Sequence, residues 1–283
     1  AGVQPDGSLG GARNLTIAAG QNARLQGKNL ASGNLTAKGN TVDLNHSQTQ
    51  ADSITLTATH GDIDASSATI TAQHQLQANA SGSFINDQAQ TAAGTLQLTA
   101  ANLSNLDGLI LLGDSSGASD ITLSNLFDNR GGLLHTTGQM QITANQVDNR
   151  NTTQSAQGIQ GNDVTITADR INNGSGHILA NQNIQLNSAG QIDNSQGLVS
   201  AGGNLSAQDG QATRSLAITN TQGTFVAGQN LAVISATLSG DGQLYAQQDI
   251  HLLLDGGFDN SGTLIANSVA PLPTAARWKQ ATS

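Results

Sequence analysis

The sequence predicts an all-β chain: a right-handed parallel β-helix, or solenoid, of about 13 coils with a period of about 20 residues. Three observations predict it. Two independent markers recur along the chain with a shared period. Pro is confined to positions 5, 271 and 273, which leaves 265 consecutive residues able to donate a backbone N–H to a sheet. The residues that build helix surfaces are missing: all 19 acidic residues are Asp, there is no Glu, and Lys occurs only at 28, 38 and 279, while the chain holds 27 Asn, 29 Gln and 33 Gly.

The first marker opens a strand. An aliphatic residue recurs at Leu15, Leu35, Ile54, Leu76, Leu96, Ile121, Met140, Val164, Ile184, Leu205, Leu231 and Ile250, at intervals of 19 to 26 residues. Behind each, apolar and polar residues alternate, as in Ile54-Thr55-Leu56-Thr57-Ala58 and Val164-Thr165-Ile166-Thr167-Ala168. A period of two is that of a strand with one face buried. Ile166 and Ile184 are therefore expected to face inward and stack on one another, with Gln185 outward.

The second marker is a corner. A hydrophobic residue followed two places later by Asn recurs at Asn86, Asn105, Asn129, Asn149, Asn173, Asn194, Asn220 and Asn260, with Gly240 filling the one gap. Asn tolerates the left-handed backbone that a sharp corner needs, and its amide both donates and accepts, so equivalent Asn residues can form a ladder along the axis. A second apolar pair follows, as in His177-Ile178-Leu179-Ala180 and Leu198-Val199-Ser200-Ala201. Each repeat thus offers two or three strands too short to bury a face alone, and stacking coil on coil joins their inward Leu, Ile, Val and Ala into one column. The long intervals contain polar stretches at 113–117, 150–156 and 209–215, which read as loop insertions.

Composition excludes several function classes. Uninterrupted apolar runs, such as Leu109 to Leu112 and Leu252 to Leu254, are far short of the roughly 18 residues that span a bilayer. With no Cys there are no disulfides and no thiolate metal sites. Net charge is −9; residues 39–129 carry nine Asp and no Lys or Arg, and only six residues are aromatic, so no nucleic-acid partner is expected.

Candidate chemistry reads as structural. His46, His60 and His74 are 14 residues apart, which a coil of about 20 residues sends to different faces. His135, His177 and His251 have no nucleophile motif beside them. Asp62-Ile63-Asp64 could hold calcium only if other oxygens converged, and the calcium-binding nonapeptide repeat is absent. Asp128, Asp148, Asp193 and Asp259 suggest a carboxylate pair for glycoside cleavage. Each directly precedes a corner Asn, where turn chemistry accounts for it. The glycosylation acceptors Asn14, Asn34, Asn102 and Asn204 coincide with the strand openings of the repeat. No catalytic, cofactor-binding or metal-ligating residue is assigned, and no cofactor or enzymatic activity is expected.

The unit Gly-Asn-x-Leu-x-Leu-x-Ala, a gap, then an apolar residue and Asp-Asn-x-x-Gly-x-Leu-x-Ala, resembles the haemagglutinin repeats of the filamentous haemagglutinin type. The likeness is tightest from Gly117 to Ala266, as in Gly161 to Ala180 and Gly202 to Asn220; residues 12–100 keep the period but mostly lack the Asp-Asn corner. Such repeats form the shafts of large exoproteins exported by two-partner secretion in Gram-negative bacteria, among them adhesins and contact-dependent growth inhibition effectors. The Asn-Pro-Asn motif of the family's secretion domain is absent, and its Val-Glu-Asn-Asn pretoxin motif is impossible without Glu. The resemblance implies an internal shaft segment, secreted or at the bacterial surface, that meets an outer-membrane transporter during export and a receptor or glycan on a target cell. The alternative is a β-helix enzyme acting on polysaccharides. Residues 1–268 are expected to form the shaft and 269–283, with Pro271, Pro273 and Trp278, an irregular cap or linker.

Overall fold

The computed structural model describes residues 11, 13–211, 213–258 and 261–267. Two compact units, Ala1–Ile142 and Thr143–Ser283, divide the chain. Both are parallel β-solenoids, with about 12–13 turns between them and a period of about 20–21 residues. No helix among the described residues is long and apolar enough to cross a membrane. The expected terminal cap or linker, 269–283, lies outside the described residues.

Each coil has three faces. In the first unit the leading face stacks Leu15–Ala18, Leu35–Gly39, Ile54–Ala58, Gln75–Ala80, Thr95–Ala100 and Ala118–Leu123 in parallel. The second face stacks two- or three-residue strands from Ala23–Arg24 to Leu126–Asp128. The third runs from Lys28–Leu30 to Leu133–Thr136. The second unit repeats the plan. Its long strand Asp163–Asn172 serves two faces, pairing first with Ile184–Asn187 and then with Gln191–Asp193. The third face there runs from Gly158–Gly161 to Thr263–Ala266.

Pairing is in register because a one-residue slip would turn every inward side chain outward. Leu35 stacks on Ile54 and Leu231 on Ile250. Ile166 and Ile184 do face inward, at 0% and 2% exposure. They do not stack on one another: Ile184 lies against Val164 and Leu205, and Ile166 against Leu186, because two inward positions per strand make two parallel columns. The strand-opening ladder also shifts once. Ile121 pairs with Leu98, and the place opposite Leu96 falls to the buried Ser119, whose Oγ accepts the Leu96 N–H.

Three of the four Phe residues, Phe84, Phe127 and Phe225, are fully buried in these columns. Each side chain hidden in this way contributes about 1.5–3 kcal/mol over an exposed one. The first and last described coils are less covered: Leu15, Ile17, Ile250, Leu252, Leu254 and Leu264 are only half-buried, whereas Leu231 and Val233, one coil inside, are fully buried.

Candidate functional site

The corner between the second and third faces concentrates the recurring polar residues. Asn86, Asn105, Asn129, Asn149, Asn173 and Asn194 are fully buried and Asn220 nearly so. In the first unit the Asn86 amide donates to Asn105 Oδ1 at 2.7 Å and Asn105 to Asn129 at 2.7 Å. In the second, Asn149 donates to Asn173, Asn173 to Asn194 and Asn194 to Asn220, each at 2.8 Å. The second amide hydrogen reaches a strand carbonyl of the next coil, such as His177 O from Asn149 at 2.9 Å. In earlier coils the same corner position holds the buried apolar Leu25, Leu44 and Ala65. The ladder therefore starts at Asn86, whose free Oδ1 is taken by the buried hydroxyl of Thr91 at 2.7 Å.

The left-handed backbone sits elsewhere than expected. Positive φ belongs not to the corner Asn but to the residue two places later: His46, Ser67, Gln88, Asp107, Asn151, Ser175, Gln196, Gln222 and Gly131; only where Gly240 replaces Asn does the corner residue itself take positive φ, at 103°. Asn is thus selected by the ladder rather than by its backbone. Gly follows for a related reason. A Cβ on Gly176 would lie 2.2 Å from Asn149 O, and one on Gly197 2.2 Å from Asn173 O, so the Asn of the preceding coil leaves no room for a side chain. Where that coil carries Leu or Ala at the corner, the place holds Ser47, Ala68 or Ala89.

The carboxylates that suggested hydrolysis are engaged in their own turns. Asp128 Oδ1 accepts from the N–H and guanidinium of Arg130, Asp148 from those of Arg150, and Asp193 from the N–H and hydroxyl of Ser195. Asp259 lies outside the described residues. Asp64 makes the same turn with Ser66, and Asp62 accepts the Ser83 N–H of the next coil, so their oxygens are used in two different directions.

The histidines separate by corner. His46 is an exposed left-handed residue after the second face. His60, after the first face, contacts Asn40 Oδ1 at 3.2 Å. His74, after the third, contacts Asp52 Oδ1 at 2.9 Å. No group of three or more His and Asp among the described residues could hold a metal. His135 and His177 are half-buried on the outside of the third face and His251 is exposed on the first. Asn34 N donates to Asn14 Oδ1, Asn102 bonds Ser83 and Asn125, and Asn204 bonds Asn183 and Asn230, so the side chains of Asn14, Asn102 and Asn204 and the backbone of Asn34 serve coil-to-coil contacts.

The three insertions leave their coils at different corners. Loop 113–117 follows the third face and closes on Asp114, which accepts from the Ser116 hydroxyl and from the N–H groups of Ser116 and Gly117. The Ser116 hydroxyl is the main cause of a carboxyl pKa below the ordinary value. Beside it, His74, Gln75, Thr95 and Gly113 line a shallow recess of about 420 Å³. Loop 150–156 follows the second face and loop 209–215 the first. In the last, burial pushes the Asp209 carboxyl up, but hydrogen bonds from the Ser215, Gln211 and Leu216 N–H groups and the Ser215 hydroxyl outweigh it, and the net shift is downward. Neither the recess nor the role of Asp209 was legible beforehand; the only signal was an isolated Asp inside an insertion.

The haemagglutinin repeat family matches residues 3–65, 55–112, 114–161 and 161–269. Over 160 residues, 56% of the chain, the sequence is 31% identical to a Yersinia pestis protein named Toxin CdiA, and it spans 5% of that protein's length. No solved structure matches the chain significantly. The family match runs through the looser coils as well as those with the Asn ladder, so the chain as a whole belongs to the haemagglutinin repeat family.

Proposed function

We propose that this chain is a shaft segment of a large bacterial exoprotein: a structural and adhesive solenoid that attaches to a receptor or glycan on a target cell or displays a distal region toward it. One observation carries the reading. In coil after coil, the recurring Asn and Asp side chains are consumed by the ladder and by turns rather than left to converge on a ligand. A repeat-locked side chain serves the repeat. The likeness to a segment of a protein named as a toxin supports a place in a much longer chain. On this reading the protein is secreted or cell-surface, passes an outer-membrane transporter partner during export, and is not an enzyme.

The test is binding of the purified, fluorescently labelled chain to bacterial and epithelial cells. Saturable binding displaced by unlabelled chain is expected for an adhesive shaft, and glycosidase treatment of the cells separates a glycan receptor from a protein one. Absence of binding by correctly folded chain would remove the adhesive part. Degradation of uronic-acid or neutral polysaccharides in proportion to protein concentration would replace the whole reading with the enzymatic one.

A further inference from the structure

Loop 209–215 does more than leave and rejoin its coil. Asp209, only 4% exposed, gathers the N–H groups of Gln211, Ser215 and Leu216 at 2.9, 2.6 and 3.1 Å, and Leu216 is fully buried. So anchored, the loop reaches along the axis both ways. The Ser215 hydroxyl bonds Ala189 O in the preceding coil. Leu216 O accepts from Ala236 N at 2.9 Å in the following coil. Arg214 passes that coil: its N–H and Nε bond Asp255 at 3.3 and 2.9 Å, with a second guanidinium nitrogen also on Asp255. The separation is 41 residues, two periods of the solenoid. Other Arg–Asp pairs are local: Arg130–Asp128 and Arg150–Asp148 are two residues apart, and Arg24 meets Asp43 of the adjacent coil with its own side chain 77% exposed.

We infer that Asp209, Gln211 and Arg214–Leu216 are a strap that locks the strand Ile250–Leu254 onto the coils before it, so that this strand separates from them only when the Arg214–Asp255 bridge breaks. In a solenoid each repeat is held by its nearest neighbours, and fraying at an end is the default. A link to the second neighbour couples separate openings into one. The position suits the role, because Ile250, Leu252 and Leu254 are half-buried where their counterparts Leu231 and Val233 are fully buried, and this coil gains less from its own core than the coil before it. The inference stands without the adhesive reading.

Hydrogen exchange of the complete chain, followed by mass spectrometry, tests it on Arg214→Gln, Asp255→Asn, the double variant, and the exchanged pair Arg214→Asp with Asp255→Arg. Each single variant should speed exchange in 250–254 by about 10-fold, as expected for loss of charge-assisted hydrogen bonds discounted for partial exposure. Strands Ile184–Asn187 and Ile54–Ala58 should be unchanged. The double variant should match a single one, and the exchanged pair should recover part of the protection. Unchanged exchange in the single variants would overturn the strap. So would additive effects in the double variant, which would mean the two groups act separately, or uniform acceleration across the chain, which would mean general destabilisation.

Discussion

Substituting one member of the buried Asn ladder should cost as much as substituting two neighbours together. Asn173→Leu keeps the branched shape and, as Leu44 shows at an equivalent corner, suits the site sterically. It removes the acceptor of the Asn149 amide and the donor to Asn194 Oδ1, leaving two buried polar groups each short of a bond. At about 1–3 kcal/mol per unsatisfied group, the cost is about 2–6 kcal/mol. Asn194→Leu orphans the Asn173 amide and Asn220 Oδ1 and should cost the same. With both replaced, the bond between them disappears with its partners, and only the Asn149 amide and Asn220 Oδ1 remain short. The double variant should therefore again cost about 2–6 kcal/mol, and the double-mutant cycle should show a coupling as large as either single effect. Urea unfolding of the four chains followed by circular dichroism measures this. A double variant as costly as the two singles summed would refute the ladder as a connected unit and make each Asn an independent local bond.

Four further outcomes follow from the same geometry. Gly197→Ala places a Cβ 2.2 Å from Asn173 O and should lower the unfolding free energy in urea by several kcal/mol, whereas Ala89→Gly, in a coil that follows Ala65, should cost only about 1 kcal/mol. Gln88→Gly and Gln196→Gly relieve left-handed backbone at φ 53° and 58° and should raise the thermal midpoint, stabilising by up to about 1 kcal/mol each; a fall in both would refute the assigned strain. Ile184→Asp buries an unpaired charge and should cost several kcal/mol while Gln185→Asp, pointing outward, should be nearly silent in the same assay. Asp209 has a lowered folded pKa, so its contribution to stability is complete above the unfolded value of about 3.9 and is lost as pH falls through the folded one; thermal melts of wild type and Asp209→Asn should differ at pH 6 and converge near pH 2.

The fold was legible because a solenoid writes its geometry into sequence spacing. An alternating pentad such as Ile54 to Ala58 gives the inward face, and the distance to the next pentad gives the coil. What the spacing could not give was register finer than the period. Ser119, small and polar, occupies the inward place opposite Leu96, and an eye following aliphatic residues slid two positions to Ile121. Nor could spacing identify which property of Asn the corner uses. Both left-handed tolerance and amide pairing are real properties of Asn, and only the positions of positive φ, at Ser175 and Gln196 rather than Asn173 and Asn194, separate them. Long-range pairs such as Arg214 with Asp255 leave no periodic mark, because they occur once.

The ladder and the glycines behave as one trait, and this explains why the two halves of the sequence read so differently. An Asn in one coil brings its backbone carbonyl and amide to the spot that a Cβ in the next coil's turn would fill. Within each unit an Asn corner is accompanied by Gly three places past the next corner: Gly108 after Asn86, Gly132 after Asn105, Gly176 after Asn149, Gly197 after Asn173 and Gly223 after Asn194, whereas Thr152 holds that place past Asn149, the corner that follows Asn129 in sequence. An apolar corner such as Leu44 or Ala65 is followed by Ala68 or Ala89 and carries no such demand. A single substitution from Leu to Asn would both orphan an amide and crowd the next turn. The ladder thus extends cheaply only from its own end, where a neighbouring amide and a Gly can be added together. Ala65→Asn alone should destabilise the first unit, and Ala65→Asn with Ala89→Gly should recover most of the loss by offering the new amide to Asn86 Oδ1 in competition with Thr91. Equal destabilisation by the single and paired substitutions would show that Asn and Gly are chosen independently.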